Sequence, residues 1–150
     1  MFSITCLFTA LLALFGSVIA GPVHKRQGIE TVTYLGSQGS ILSGGAAAKG
    51  LVYTAGTVPS LNGTIVSGGI QNETAQVIRN IAVILAEAGT SWDYVLKTTV
   101  FLATMDDYSA MNEVYAAMLP DPKPARTAVE VGRLPGNFSV EIEAIAAIPE

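Results

Sequence analysis

The stretch PARTAVEVGRLP, residues 124–135, sets one arginine, Arg126, among small residues, and VEIEAIA, residues 140–146, carries two glutamates at alternate positions. A planar guanidinium grips a carboxylate through two parallel hydrogen bonds, which fixes orientation as well as charge. Pro124, Ala125, Thr127 and Ala128 are small and leave the Arg126 guanidinium approachable. Glu141 and Glu143 alternate with Val140, Ile142 and Ala144, so both point to one face of a strand. In a cleft, such a carboxylate can hold and deprotonate a water. The plain alternatives are a rim salt bridge for Arg126 and the polar face of a half-buried sheet for the glutamates. Asn112, at the edge of a helical apolar stripe, is either a solvated amide or a donor to a ligand oxygen.

Other candidates carry less. Arg133 lies on the opposite strand face from Arg126 by parity, just before a turn, and reads as structural. Asp106-Asp107 suits a helix N-terminus, where negative charge is favoured. GGAAAKG (44–50) has glycines and a lysine but lacks the spacing and the Ser/Thr of a phosphate-binding loop. Lys97 in an apolar strand reads as an edge or interface residue, and Trp92 as packing.

What the chain lacks narrows the chemistry. MFSITCLFTALLALFGSVIA is an uncharged apolar run ending with Val18 and Ala20 at the small positions a signal peptidase favours. It predicts a signal peptide over 1–20, then a short propeptide, 21–26, closed by the dibasic Lys25-Arg26. The domain is then 27–150, 124 residues, a secreted protein with no lasting membrane attachment. Both cuts remove the only cysteine, Cys6, and the only histidine, His24. Without them the chain can run neither a Ser-His-Asp nor a Cys-His mechanism, and it has no disulfide. Six bases against twelve acids after residue 26 give a net charge of −6. A nucleic-acid partner needs a basic footprint, and none is visible. Three sequons, at Asn62, Asn72 and Asn137, fit a secretory route.

The elements that must position these groups follow from periodicity. LVYTAGTV (51–58) predicts a buried strand closed by Pro59, and VPSLNGTIVSGG a loop. Val77, Ile78, Ile81, Leu85 and Ala88 predict a helix from about Glu73 to Ala88, with Asn72 as N-cap and Gly89 as stop. VLKTTVFLAT (95–104) predicts a strand. A second helix covers about Asp106 to Leu119, burying Met111, Val114, Tyr115 and Met118. Strands follow at about 125–134 and 140–147. A hairpin turn at Pro135-Gly136 would set Glu130 opposite Glu141 and Ala128 opposite Glu143. The order predicts an α+β layer with both helices on one face of a mixed sheet.

KPARTAVEVGRLP, VEIEAIA, VLKTTVFLATMDDYSAMNEVY and YTAGTVP together resemble the reactive intermediate deaminase (RidA, or YjgF) family, over nearly the whole chain after residue 26. The resemblance implies a chorismate-mutase-like α+β fold, a homotrimer with ligand clefts between subunits, and hydrolysis of 2-imino acids to 2-oxo acids and ammonia without metal or cofactor. It assigns Arg126 to the substrate carboxylate, Glu141 to the attacking water, Asn112 to the family's helix-two asparagine and Gly56 to a backbone contact. Three positions depart from the pattern. Ala128 stands where many members have cysteine, Ala55 replaces a serine, and Leu42-Ser43 lack the tyrosine usually set over the ligand, although Tyr34 is nearby. The alternatives are a secreted trimeric binding protein without catalysis and the endoribonuclease or translation-inhibitor role attached to some relatives. The charge and the missing histidine argue against the second alternative.

Overall fold

A computed structural model describes residues 31–150; the leader, Lys25-Arg26, Cys6 and His24 lie outside them. Alternation builds the sheet. In β8 (Val140–Ala147), Val140, Ile142, Ala144 and Ala146 are buried, while the residues between them face the other way and stay half-exposed. In β6 (Val95–Leu102), Thr98, Val100 and Leu102 do the same. With β1 (Thr33–Gln38), β2 (Ser43–Ala48), β3 (Leu51–Thr54) and β7 (Ala125–Glu130) they form one six-stranded sheet, in the order β1-β2-β3-β8-β6-β7. Every pairing is antiparallel except β6 with β7, which is parallel.

The buried face is covered by α1 (Gly69–Glu87) and α2 (Tyr108–Met118). Their stripes, Val77, Ile78, Ile81 and Leu85 with Met111 and Tyr115, join the inward sheet residues in a single core. Each fully buried aliphatic side chain here contributes about 1.5–3 kcal/mol. Truncating Ile81 or Ile142 to alanine, both with no exposed surface, would cost about 2–5 kcal/mol. The expected α+β layer, with two helices on one face of a mixed sheet, is therefore present. Among the described residues, no helix covers its other face. There Tyr53 is 51% and Val129 39% exposed.

Several expectations need correction. No hairpin joins the last two strands: β7 and β8 lie on either side of β6, so Ala128 is level with Val100 and Glu143 with Thr99. A parallel crossover through α2 places β7 at the sheet edge, and residues 131–139 then cross back. Lys97 is consequently in an interior strand, its Nζ donating to Thr127 Oγ1 at 2.8 Å. Strand β7 stops at Glu130, so Arg133 lies in an exposed loop and has no strand face. Helix α1 starts four residues early, after Gly68 at φ 105°; Asn72 sits within its first turn, donating to the Ser67 carbonyl at 3.1 Å. The stretch expected as loop holds a two-stranded ribbon, β4 (Ser60–Leu61) and β5 (Thr64–Ile65). Asn62 and Gly63, with φ of 52° and 80°, close it, the backbone that an Asn-Gly hairpin turn requires. Before α2, Met105–Asp107 form a 3₁₀ turn rather than the first turn of the helix.

Candidate functional site

Helical spacing gathers the first cluster. Tyr108, Asn112 and Tyr115 stand at i, i+4 and i+7 of α2 and so share one face. A capped turn sets their height over the sheet: Thr104 Oγ1 accepts from the Asp106 amide at 3.2 Å, and Glu130 Oε2, at the end of β7, accepts from the Met105 amide at 2.8 Å. Arg126 of β7 is level with Thr98 of β6, whose hydroxyl hydrogen-bonds the Tyr115 hydroxyl at 2.7 Å. Arg126 therefore lies on the helix side of the sheet. Its Nη1 donates to Asn112 Oδ1 at 2.6 Å and its Nη2 to the Tyr108 hydroxyl at 3.2 Å. The guanidinium carbon is 4.7 Å from the Tyr115 ring centroid and 5.6 Å from that of Tyr108, within cation–π range.

All these partners are neutral. Burial pushes the Tyr115 hydroxyl above its usual range, against the opposing pull of the Thr98 hydrogen bond and Arg126, so it stays protonated. No carboxylate pairs with Arg126 among the described residues. The guanidinium thus keeps its charge uncompensated at a cleft of about 410 Å³ lined by Asn112, Tyr115, Ala116, Lys123, Pro124 and Arg126. A part-buried cation fixed by neutral acceptors is an anion site.

The second cluster centres on Glu141. Reciprocal bonds between Thr57 and Ile142, at 2.8 and 3.1 Å, hold residues 55–57 against β8. Gly56 then comes so close to Glu141 that a Cβ at position 56 would collide with the carboxylate and force that side chain to shift. Burial, and then the charge of Glu143 on the same strand face, raise the Glu141 carboxyl above the ordinary carboxylate value of 4.5. A raised carboxyl is a stronger base once ionised. It also costs stability. The folded state binds the Glu141 proton more tightly than the unfolded state does. Stability from this group therefore falls as pH rises from the ordinary value through the raised one, and the penalty is complete above it. Glu141→Gln should accordingly melt higher than wild type at pH 7, with the gap closing near pH 4; an equal gap at both pH values would contradict the assigned burial.

The two clusters do not meet within one chain. Arg126 shares its level with Thr98 and Ala144, whereas Glu141 is level with Phe101, on the opposite face. Two strand spacings and three residues along the strand separate their backbones by about 14 Å, and their side chains diverge from there. Of the expected site residues, Arg126 and Asn112 are brought together, as are Glu141 and Gly56. Tyr34 is 56% exposed and lines a groove of about 240 Å³ with Ser43, Tyr53 and Ala55. Sequence reasoning missed Tyr108 and the Tyr115–Thr98 support. Spacing from Asn112 could have found both tyrosines. Among the described residues, no three His, Cys, Asp or Glu side chains are placed to hold a metal ion.

The family model described as Endoribonuclease L-PSP matches residues 40–148. Protein mmf1, mitochondrial, of Schizosaccharomyces pombe is 42% identical over 102 residues, 66% of this chain and 63% of that protein, so the alignment spans less than two thirds of the relative. The 2-iminobutanoate/2-iminopropanoate deaminase of Mus musculus is 43% identical over 98 residues, 63% of this chain and 72% of that protein. The crystal structure of yeast Mmf1 superposes with a TM-score of 0.76 at 34% identity, covering 79% of this chain and all of that one (100%).

Proposed function

The chain belongs to the Endoribonuclease L-PSP family, and from that premise and its two half-sites we propose that it hydrolyses 2-imino acids to 2-oxo acids and ammonia. The observation that carries the reading is Arg126, a guanidinium with no carboxylate partner among the described residues, held by Asn112 and Tyr108 beside a cleft. The mouse relative's name supplies the substrate class. A ribonuclease activity, as the family description would have it, finds no basic footprint in a chain of net charge −4.

In this reading Arg126 takes the substrate carboxylate, and Glu141 of a neighbouring subunit takes a proton from water. The water oxygen bonds to C2 of the protonated imine while the C=N π pair moves onto nitrogen, giving a carbinolamine. Glu141 returns its proton to that nitrogen. The C–N bond then breaks as the hydroxyl becomes the 2-oxo group and gives up its proton, leaving 2-oxo acid and ammonium. An imine is already electrophilic once protonated, so holding the carboxylate and delivering water are the protein's main tasks.

In this reading the two half-sites, on opposite sheet faces, meet across a subunit interface, and the open sheet face offers apolar surface for a homotrimer. The test is direct: freshly generated 2-iminobutanoate is supplied to the purified protein and 2-oxobutanoate release is followed above the spontaneous rate. Release at the spontaneous rate alone from an intact trimer would leave the second reading, a binding protein that uses only the Arg126 half.

The proposal includes secretion, with removal of residues 1–20 and 21–26. Sequencing of protein recovered from the medium should begin at Gln27; an intact Met1 form in membranes would refute it. Asn62 and Asn137 stand exposed in turns, open to glycosylation, whereas the Asn72 amide is engaged with Ser67.

A further inference from the structure

The Arg126 cleft contains a second cation. Lys123 lines it together with Ala116, Pro124 and Tyr115, and among the described residues no acidic side chain does. Its Nζ donates to the Leu119 carbonyl at 2.7 Å, just past the end of α2, and pairs with Asp121 Oδ1 at 3.0 Å. An ammonium has three donors, so one remains. The Asp121 side chain is 85% exposed, and a partner that open to water holds a lysine weakly. The cleft, at about 410 Å³, falls in the range of about 300–1,000 Å³ that accommodates ligands well above four carbons. A four-carbon monoacid would leave the Lys123 end empty.

From the presence of both Arg126 and Lys123 in the lining of one cleft, we propose that the preferred substrates are dicarboxylic 2-imino acids, of the iminosuccinate and iminoglutarate class. Arg126 grips the carboxylate next to the imine, and Lys123 receives the distal one. This rests on the imine-hydrolysis reading of the same site and adds Lys123 as its specificity determinant. Had Lys123 only a helix-capping role, its loss would alter stability without altering the choice between one carboxylate and two.

Calorimetric binding of the products 2-oxoglutarate and 2-oxobutanoate, with kcat/KM for the matching imines, separates these roles. Wild type should bind 2-oxoglutarate about tenfold more tightly than 2-oxobutanoate, as one further charged hydrogen bond provides. Lys123→Met should remove that preference and leave 2-oxobutanoate within about twofold, as expected for a group that touches only the distal carboxylate. Asp121→Asn frees the ammonium and should tighten 2-oxoglutarate binding; this exposed position keeps the test decisive if Lys123→Met folds poorly. Equal affinity for both acids in wild type, or parallel losses in Lys123→Met, would overturn the proposal. Hydrolysis of 2-iminobutanoate without any preference for diacids would sink the dicarboxylate assignment alone. Failure to bind or hydrolyse either class would sink the imine reading itself.

Discussion

Arg126→Ala is expected to weaken 2-oxobutanoate binding by at least tenfold and to abolish measurable imine hydrolysis. The reason lies in how the guanidinium is held. Its contacts, Asn112, Tyr108 and the faces of two tyrosine rings, are all neutral, so they aim the group without quenching its charge. A bound carboxylate becomes its only full counter-charge. Losing a desolvated charged partner costs about 2–5 kcal/mol, and each tenfold in affinity is about 1.4 kcal/mol. Arg126→Lys keeps the charge but loses the planar fork, and one ammonium cannot satisfy both Asn112 and Tyr108 while gripping a carboxylate. It should recover only part of the affinity. Arg133→Ala, in an exposed loop, is the matched control and should leave binding and turnover unchanged. An Arg126→Ala protein that binds and turns over like wild type, with its assembly intact, would end the enzymatic reading.

The individual elements were legible because burial writes period into sequence. The stripe of α1 and the alternation of β6 and β8 each pack one face against a shared core, and that constraint fixes residue type at known intervals. Ala128 shows where the sequence falls silent. Its expected partner across a hairpin was Glu143, because Pro135-Gly136 lies between two strands and local turns are the shortest route back. The observed neighbour is Val100, since the slot beside β8 belongs to β6, which pairs with it along seven residue positions. Strand order is a contest between pairings distant in sequence, and no single window records its outcome. Asn72 illustrates a smaller limit: it has the side chain of a helix cap, but Gly68 and Gly69, both at positive φ, let the chain turn into the helix four residues earlier. For the site, residue type singled out Arg126, Asn112 and the Glu141-Glu143 pair, and the family resemblance chose Glu141 and added Gly56. Their division into two pairs on opposite faces became visible only once β7 and β8 were seen to flank β6.

That division makes the last expectation the sharpest. Glu141→Gln preserves shape, removes the base, and should lower imine hydrolysis by about 10²-fold, while leaving 2-oxobutanoate on Arg126 nearly undisturbed. Arg126→Ala is inactive for a different reason and in a different half-site. If each working cleft takes Arg126 from one subunit and Glu141 from its neighbour, the two inactive proteins should rescue each other. Unfolded together in equal amounts and refolded, they should form mixed assemblies in which about a quarter of the clefts, one half times one half, join an intact Arg126 to an intact Glu141. Activity should then return to roughly that fraction of wild type, far above either parent. Mixing without subunit exchange should give nothing. If both groups acted from one subunit, every cleft in the mixture would carry a defect, and no proportion of the two proteins would restore hydrolysis. Absence of rescue from demonstrably mixed trimers would therefore contradict the shared cleft, because sheet register sends the two side chains to opposite faces of every chain.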